Sequence, residues 1–186
     1  MNHVRYLPAL IRTPRTWRNG GGTTSNVVLV PEGAGHDDFQ WRASIATIAT
    51  SGPFSKWPGI DRALLLLRGT LLLAVGEGSG HQRLDACSPS QRFAGEDEIA
   101  ARPLGGPCNV LNIMTRRGHI QTRLERWIAG RPSAAEQLLI LAPQPMAVRF
   151  RGKSIYLSKD DALLLAANVA IEIEFDHPLI VAELYV

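Results

Sequence analysis

Ala63-Leu64-Leu65-Leu66-Leu67-Arg68-Gly69-Thr70-Leu71-Leu72-Leu73-Ala74-Val75 is the stretch on which the fold class turns. Two short apolar runs flank Arg68-Gly69-Thr70. Runs of this length bounded by a glycine read as strands, and the pair predicts a β-hairpin. A membrane span needs about 20 apolar residues, and Arg68 and Gly69 cut this stretch well short of that. Gly76, Gly78 and Gly80 then punctuate the chain.

Outward from this stretch the same pattern continues. Strands are expected at Val27–Val30, Phe39–Ile48, Asp97–Arg102, Val110–Thr115 and Thr122–Trp127. Later ones are expected at Gln137–Leu141, Met146–Phe150, Ser154–Leu157, Ala162–Ala166, Ala170–Phe175 and Leu179–Tyr185. Many short strands with closely spaced turns predict an all-β sandwich or barrel. Pro132 to Leu139 stays open between strand and short helix, because its Ala, Glu, Gln and Leu favour helix.

Composition narrows the function classes. The 186 residues are 45% hydrophobic and 20% charged, with a formal net charge of +3. That supports one large domain or two small ones, and argues against global disorder. Arg12, Arg15, Arg18, Arg116 and Arg117 are scattered without interleaved aromatics, so no nucleic-acid partner is expected. No apolar run near the N-terminus resembles a signal peptide, and no membrane partner is expected. Cys87 and Cys108 are too few for a disulfide framework, and free thiols suit a cytoplasmic location.

A weak repeat suggests two units. Phe93-Ala-Gly-Glu96-Asp97-Glu98-Ile99 and Leu157-Ser-Lys-Asp160-Asp161-Ala162-Leu163 each place acids in a turn before an apolar strand. The expected division is residues 1–130, carrying the ligand pocket, and residues 131–186. The junction is expected at Gly130–Ser133, with strands exchangeable between the halves.

Four stretches could carry chemistry. In Trp17-Arg-Asn19-Gly20-Gly21-Gly22-Thr23-Thr24, consecutive glycines could form an anion-binding nest or a tight structural turn. In Phe39-Gln-Trp41-Arg42-Ala43-Ser44-Ile45-Ala46, alternation sets Arg42, Ser44 and Ala46 on one face. Turned inward, Arg42 needs a carboxylate partner or a bound anion; the other reading places it on the outer surface. Gly52-Pro-Phe-Ser55-Lys-Trp-Pro58-Gly59-Ile-Asp61-Arg62 ends in neighbours that point to opposite faces of a strand. In Val110-Leu-Asn112-Ile-Met114, Asn112 interrupts an apolar strand and needs a hydrogen-bond partner or a ligand. The five histidines, His3, His36, His81, His119 and His177, are isolated, so no metal site is expected. No nucleophile–base signature is present.

Together these stretches resemble the HutD/Ves family. The resemblance rests on Trp17…Asn19-Gly-Gly-Gly-Thr-Thr24, Phe39-x-Trp41-Arg42-x-Ser44-Ile45-Ala46 and Gly52-Pro-Phe-Ser55-x-x-Pro58-Gly59-x-Asp61-Arg62. Gly106-Pro107…Asn112-Ile-Met114-x-Arg116-Arg117-Gly118 adds to it more distantly. It implies a bicupin fold, two small cupin-like β-barrels of jelly-roll type packed in one chain, without the usual histidine-rich metal motif. It also implies association with histidine utilisation and a pathway intermediate such as urocanate or formylglutamate as ligand. Two positions depart from the family pattern. Ser25-Asn26 stands where an acid is common, and Val110 where Asp is common.

The functional expectation is a small-carboxylate-binding protein of regulatory character, with no cofactor and no catalytic residue. Its ligand-binding residues are expected to be Asn19, Thr24, Arg42, Ser55, Arg62 and Asn112, and a homodimer is one assembly to consider. The alternative is a metal-independent cupin enzyme, an isomerase or lyase acting on a small acid, with Asp61 as its titratable group.

Overall fold

The computed structural model describes residues 4–35, 38–76, 80–150, 152–166 and 173–186. Gly78, His3, His36 and the first residues of the strand expected at 170–175 lie outside them. Among the described residues every regular element is a strand, as the alternation and turn spacing predict. Contacts divide the chain into two units. A central unit spans Thr13–His119, and a terminal unit joins Met1–Arg12 to Ile120–Val186.

The terminal unit opens with β1 (Val4–Leu7). The central unit contains β2 (Arg15–Thr16), β3 (Gly22–Val30), β4 (Trp41–Ile48), β5 (Gly52–Pro53), β6 (Ile60–Val75), β7 (Gln82–Leu84), β8 (Gln91–Ala94) and β9 (Ile99–Arg116). The chain then returns to the terminal unit with β10 (Gln121–Trp127), β11 (Gln137–Leu141), β12 (Met146–Phe150), β13 (Lys153–Leu157), β14 (Ala162–Ala166), β15 (Ile173–Phe175) and β16 (Leu179–Tyr185). The Pro132–Leu139 ambiguity resolves without a helix: residues 132–136 are irregular and strand β11 begins at Gln137. Leu138 to Leu141 are all buried within a sheet, where their side chains gain more than helix propensity offers.

In the central unit the sheet runs β2-β3-β4-β9-β6-β7, with β5 on β9 and β8 on β6. The hairpin expected at Arg68-Gly69-Thr70 does not form. Ile60–Val75 is one strand of 16 residues, and both of its apolar runs pair antiparallel with β9. Leu64 to Leu66 meet Val110 to Asn112, while Thr70 to Val75 meet Ile99 to Leu104. Gly69 takes a positive φ of 88°, and the register shifts on either side of Arg68. On β9, Gly105 and Gly106 also take positive φ. The glycine therefore makes an irregularity in a long ladder, not a reversal. A Cβ on Gly69 would lie 2.8 Å from the Cys108 Cβ, so the close approach also requires glycine there.

The terminal unit has a five-stranded sheet, β1-β14-β11-β16-β10, and a three-stranded sheet, β13-β12-β15. Its core gathers Leu138, Ile140, Val148, Leu163, Leu165 and Val181, each at most 1% exposed. Burying such a side chain contributes roughly 1.5–3 kcal/mol relative to leaving it in water. β1 pairs with β14, so residues from opposite ends of the sequence share one sheet.

The sequence repeat has a structural counterpart. In the central unit Asp97 Oδ2 accepts from the Ala94 amide at 2.8 Å, and the Asp97 amide donates to the Ala94 carbonyl at 3.1 Å. In the terminal unit Asp161 Oδ2 accepts from the Ser158 amide at 2.8 Å, and the Asp161 amide donates to the Ser158 carbonyl at 3.1 Å. An aspartate that binds the amide three residues back closes each turn, and each turn leads into a strand.

Candidate functional site

The register of three neighbouring strands builds the site. Met114 on β9 lies opposite Arg42 on β4 and opposite Arg62 on β6. Directly opposed residues share a face, so both arginines project from one side of the sheet, two strands apart. The next row on this face is Ser44, Asn112 and Leu64. On β8, Phe93 stands opposite Arg62. The row beyond holds Thr24, Ala46, Val110 and Leu66, and there the face becomes apolar.

Both guanidinium groups lie against aromatic rings. Arg42 Cζ is 5.1 Å from the Trp57 ring centre and 5.8 Å from that of Phe39. Arg62 Cζ is 5.0 Å from the ring centres of both Phe54 and Phe93. The faces of these rings are electron-rich and attract the cations. Among the described residues neither arginine meets a carboxylate. Arg62, 7% exposed, has one protein acceptor, the Ser55 carbonyl at a long 3.4 Å from Nη1. The Nε atoms of Arg42 and Arg62 and the Oδ1 of Asn112 are buried without a hydrogen-bond partner among the described residues. Burial lowers the affinity of Arg62 for its proton, repulsion from Arg42 lowers it further, and its pKa falls to about 10. Burial likewise lowers that of Arg42. Both remain cations at neutral pH.

The loop between β5 and β6 supplies Phe54, Ser55 and Trp57 and is fixed by backbone bonds. Phe54 N donates to the Ile99 carbonyl at 2.9 Å, and Trp57 N donates to the Gly95 carbonyl at 2.7 Å. Gly95 N donates to the Ile60 carbonyl at 2.6 Å. A Cβ on Gly95 would lie 2.1 Å from the Trp57 carbonyl oxygen, so only glycine lets the loop close down here.

The expected site residues separate into two groups. Arg42, Arg62 and Asn112 come together on one face, and Ser55 reaches Arg62 through its carbonyl, with its own side chain on the exposed loop. Thr24 lies on the same face two rows from Arg42, and Asn19 lies in the glycine turn; each has a local partner. Asn19 Oδ1 accepts from the Gly21 amide at 3.0 Å, and Thr24 Oγ1 accepts from Trp17 Nε1 at 2.7 Å. The Gly20 amide donates to the Trp17 carbonyl at 2.9 Å. The glycine stretch thus spends the amides of Gly20 and Gly21 on its own turn, which is the structural reading of that motif.

Five contributors were not among the expected site residues: Ser44, Phe39, Phe54, Trp57 and Phe93. Ser44 is 1% exposed and stands opposite Asn112; its spacing of two from Arg42 was the available signal. Phe39, Phe54 and Trp57 gave no such signal, since loop residues have no periodicity to orient them, and Phe93 is set opposite Arg62 only by the pairing of β8 with β6. Asp61 faces away from the arginines. It is opposite Thr115 and accepts from Arg117 Nε at 2.7 Å, while Arg117 also binds Glu96 at 2.6 Å. Among the described residues no three of His, Cys, Asp and Glu gather as a metal-binding group. Nor do the described residues form any helix long and apolar enough to cross a membrane.

The chain and its fold have relatives. The HutD family model matches residues 10–181. An uncharacterized 21.2 kDa protein in the hutC 3′ region of Pseudomonas putida is 31% identical over 176 residues, covering 90% of each chain. Protein Ves of Citrobacter koseri is 38% identical over 109 residues, and that match spans 58% of this chain but only 56% of Ves. Among solved structures, HutD from Pseudomonas fluorescens SBW25 superposes with a TM-score of 0.85 at 25% identity, covering 98% of both chains. A cupin 2 conserved barrel domain protein from Leptotrichia buccalis shares the fold, with a TM-score of 0.56 at 10% identity, covering 97% of this chain and 99% of that one. A family model matched over nearly the whole chain, and a relative alike from end to end, make this protein a member of the HutD family.

Proposed function

We propose that the protein binds a small carboxylate between Arg42 and Arg62 in its central unit and serves a regulatory role in histidine utilisation. One observation carries this reading: two arginines share a sheet face, largely removed from water, with no acid beside either among the described residues. A buried cation without a counter-charge is costly, and natural structures keep such a group where a ligand supplies the charge. Guanidinium is a planar fork of donors suited to a carboxylate, and charge-assisted bonds exceed neutral ones in strength. Asn112 and Ser44 add polar groups one row away.

The link to histidine utilisation rests on family membership and on the relative in the hutC 3′ region. Urocanate and formylglutamate are the carboxylates to test first. The same reading takes each unit as a cupin-like barrel, giving a bicupin, supported by the all-strand architecture and the paired aspartate turns. A reducing, cytoplasmic setting suits the exposed free thiol of Cys87.

Calorimetric titration of urocanate and formylglutamate into the wild-type protein and the Arg42→Met and Arg62→Met variants tests the reading. Each substitution is expected to weaken binding by on the order of 2 kcal/mol, roughly thirtyfold in Kd. Unchanged affinity in both variants would overturn it.

A further inference from the structure

We propose that the loop between β5 and β6 is a switch that reports occupancy of the site. A carboxylate taken up by Arg62 displaces the Ser55 carbonyl, the Ser55–Lys56 peptide turns outward, and Lys56 parts from Glu98. This rests on the carboxylate reading above and adds to it a route by which a regulatory protein displays its bound state on its surface.

The loop is pinned at both ends and held lightly in the middle. Phe54 N donates to the Ile99 carbonyl at 2.9 Å and Trp57 N to the Gly95 carbonyl at 2.7 Å. Further on, Ile60 N donates to the Trp57 carbonyl at 3.2 Å and Arg117 N to the Gly59 carbonyl at 3.0 Å. Among the described residues, Ser55 and Lys56 have one polar contact each. The Ser55 carbonyl accepts from Arg62 Nη1 at 3.4 Å, and Lys56 Nζ pairs with Glu98 Oε1 at 3.0 Å. Both side chains of that ion pair are more than half exposed, so it resists separation weakly. The middle of the loop is thus held from inside by the same cation that the ligand would take.

Relative bond strengths set the direction. Arg62 Nε is enclosed by the fold, so a carboxylate meets the guanidinium at its Nη edge, where Ser55 already sits. The bond to Ser55 is long and its acceptor is neutral. A carboxylate accepts shorter, charge-assisted bonds and can take both Nη donors at once, so it displaces the carbonyl. That carbonyl belongs to the peptide joining Ser55 to Lys56, and turning the peptide carries Lys56 with it. The bonds at Phe54 and Trp57 confine the movement to these two residues, and both rings stay against the arginines. The coupling is reciprocal: whatever seizes the freed Lys56 favours the ligand-bound state.

Lys56 is the only lysine between Thr13 and His119, and Lys153 and Lys159, both exposed in the terminal unit, serve as internal references. Labelling with limiting N-hydroxysuccinimide acetate, read by mass spectrometry, compares how free each amine is. Saturating urocanate or formylglutamate is expected to raise Lys56 labelling roughly threefold relative to Lys153 and Lys159, the scale set by loss of an exposed ion pair. Arg62→Met removes the donor to Ser55, so it should show the raised labelling without ligand and no further response to it. If either compound binds wild type by calorimetry and Lys56 labelling stays unchanged or falls, the switch is overturned and the carboxylate reading stands. Equal Lys56 labelling in unliganded wild type and unliganded Arg62→Met also overturns it. If neither compound binds wild type, the carboxylate reading falls and the switch with it.

Discussion

The two units differ in whether their buried charges have an opposite charge beside them. In the terminal unit the core face of the large sheet is apolar, with Leu138, Ile140, Leu163, Leu165 and Val181 on it. Its buried acids, Glu183 and Asp161, are both matched. Ser133 Oγ donates to Glu183 at 2.6 Å and Arg131 Nη2 at 3.1 Å, and the Ser158 amide donates to Asp161 at 2.8 Å. Among the described residues, Arg42 and Arg62 of the central unit have no acid beside them, whereas in the terminal unit Arg131, which like Arg12 and Trp127 also keeps a buried nitrogen unpartnered, pairs with Glu125 and Glu183. A matched buried charge holds structure together. An unmatched one costs stability and makes sense where a ligand completes it. The contrast is what supports the proposed site in the central unit.

Glu183→Ala should have the largest effect. Removing the acid leaves Arg131 and Ser133 facing a buried gap, and breaking such a pair costs about 3 kcal/mol, the low end because Arg131 is partly exposed. Urea denaturation measures the loss. A cost below about 1 kcal/mol would show that the terminal unit does not depend on its matched charge, and the contrast would weaken.

The twin turns give the next test. Asp97 makes the shared bond to Ala94, whereas Asp161 also accepts from the Ala9 amide at 2.7 Å and from the Tyr6 hydroxyl. Asp161→Ala should therefore cost about 2–3 kcal/mol and Asp97→Ala about 1 kcal/mol. Equal costs would mean that the extra bonds tying the first strand's segment to Asp161 add nothing. Burial pushes the Asp161 pKa up, but the hydrogen bonds from Tyr6, Ala9 and Ser158 outweigh it and the net shift is downward. A depressed folded-state pKa means the stabilisation is present above the unfolded value of about 3.9 and fades as pH falls through the folded value. Denaturation midpoints for wild type and Asp161→Asn should accordingly converge below about pH 4.

The smallest effect has the opposite sign. Arg62→Met removes a buried cation that has no acid partner among the described residues, and a thioether chain of similar length packs well between Phe54 and Phe93. Without ligand, the variant should be as stable as wild type or more stable by about 1 kcal/mol at neutral pH. Below pH 10 the guanidinium is charged and its burial cost stands in full; the cost recedes only as pH rises beyond about 10. A loss above about 2 kcal/mol would place Arg62 among the structural charges, like Arg131, and erase the distinction between the two units.

Much of the fold was legible because strand signals are local. Gln137–Leu141, Met146–Phe150, Ala162–Ala166 and Leu179–Tyr185 form strands with the expected bounds. Alternation placed Arg42 with Ser44 and set Asp61 against Arg62, and both relations hold in the sheet. The stretch Ala63–Val75 was legible as β structure but misread as a hairpin. A positive-φ glycine can serve a turn or an irregularity in a long strand, and only the partner chooses between them. Here the partner is β9, which pairs with both apolar runs.

By itself the sequence determined an all-strand chain, a repeated aspartate turn and a set of arginine- and asparagine-bearing motifs in HutD/Ves order. These are properties of neighbours along the chain, set by side-chain alternation and turn chemistry. Tertiary structure alone decided which motifs meet. Arg42, Met114 and Arg62 fall in one row only through the register of β4, β9 and β6, and slipping that register by one residue would turn one arginine to the other face. It alone decided that Asn19 accepts from Gly21 and Thr24 from Trp17, and that residues 4–7 pair with 162–165. Such pairings depend on the total burial that many distant residues achieve together, which no local pattern records.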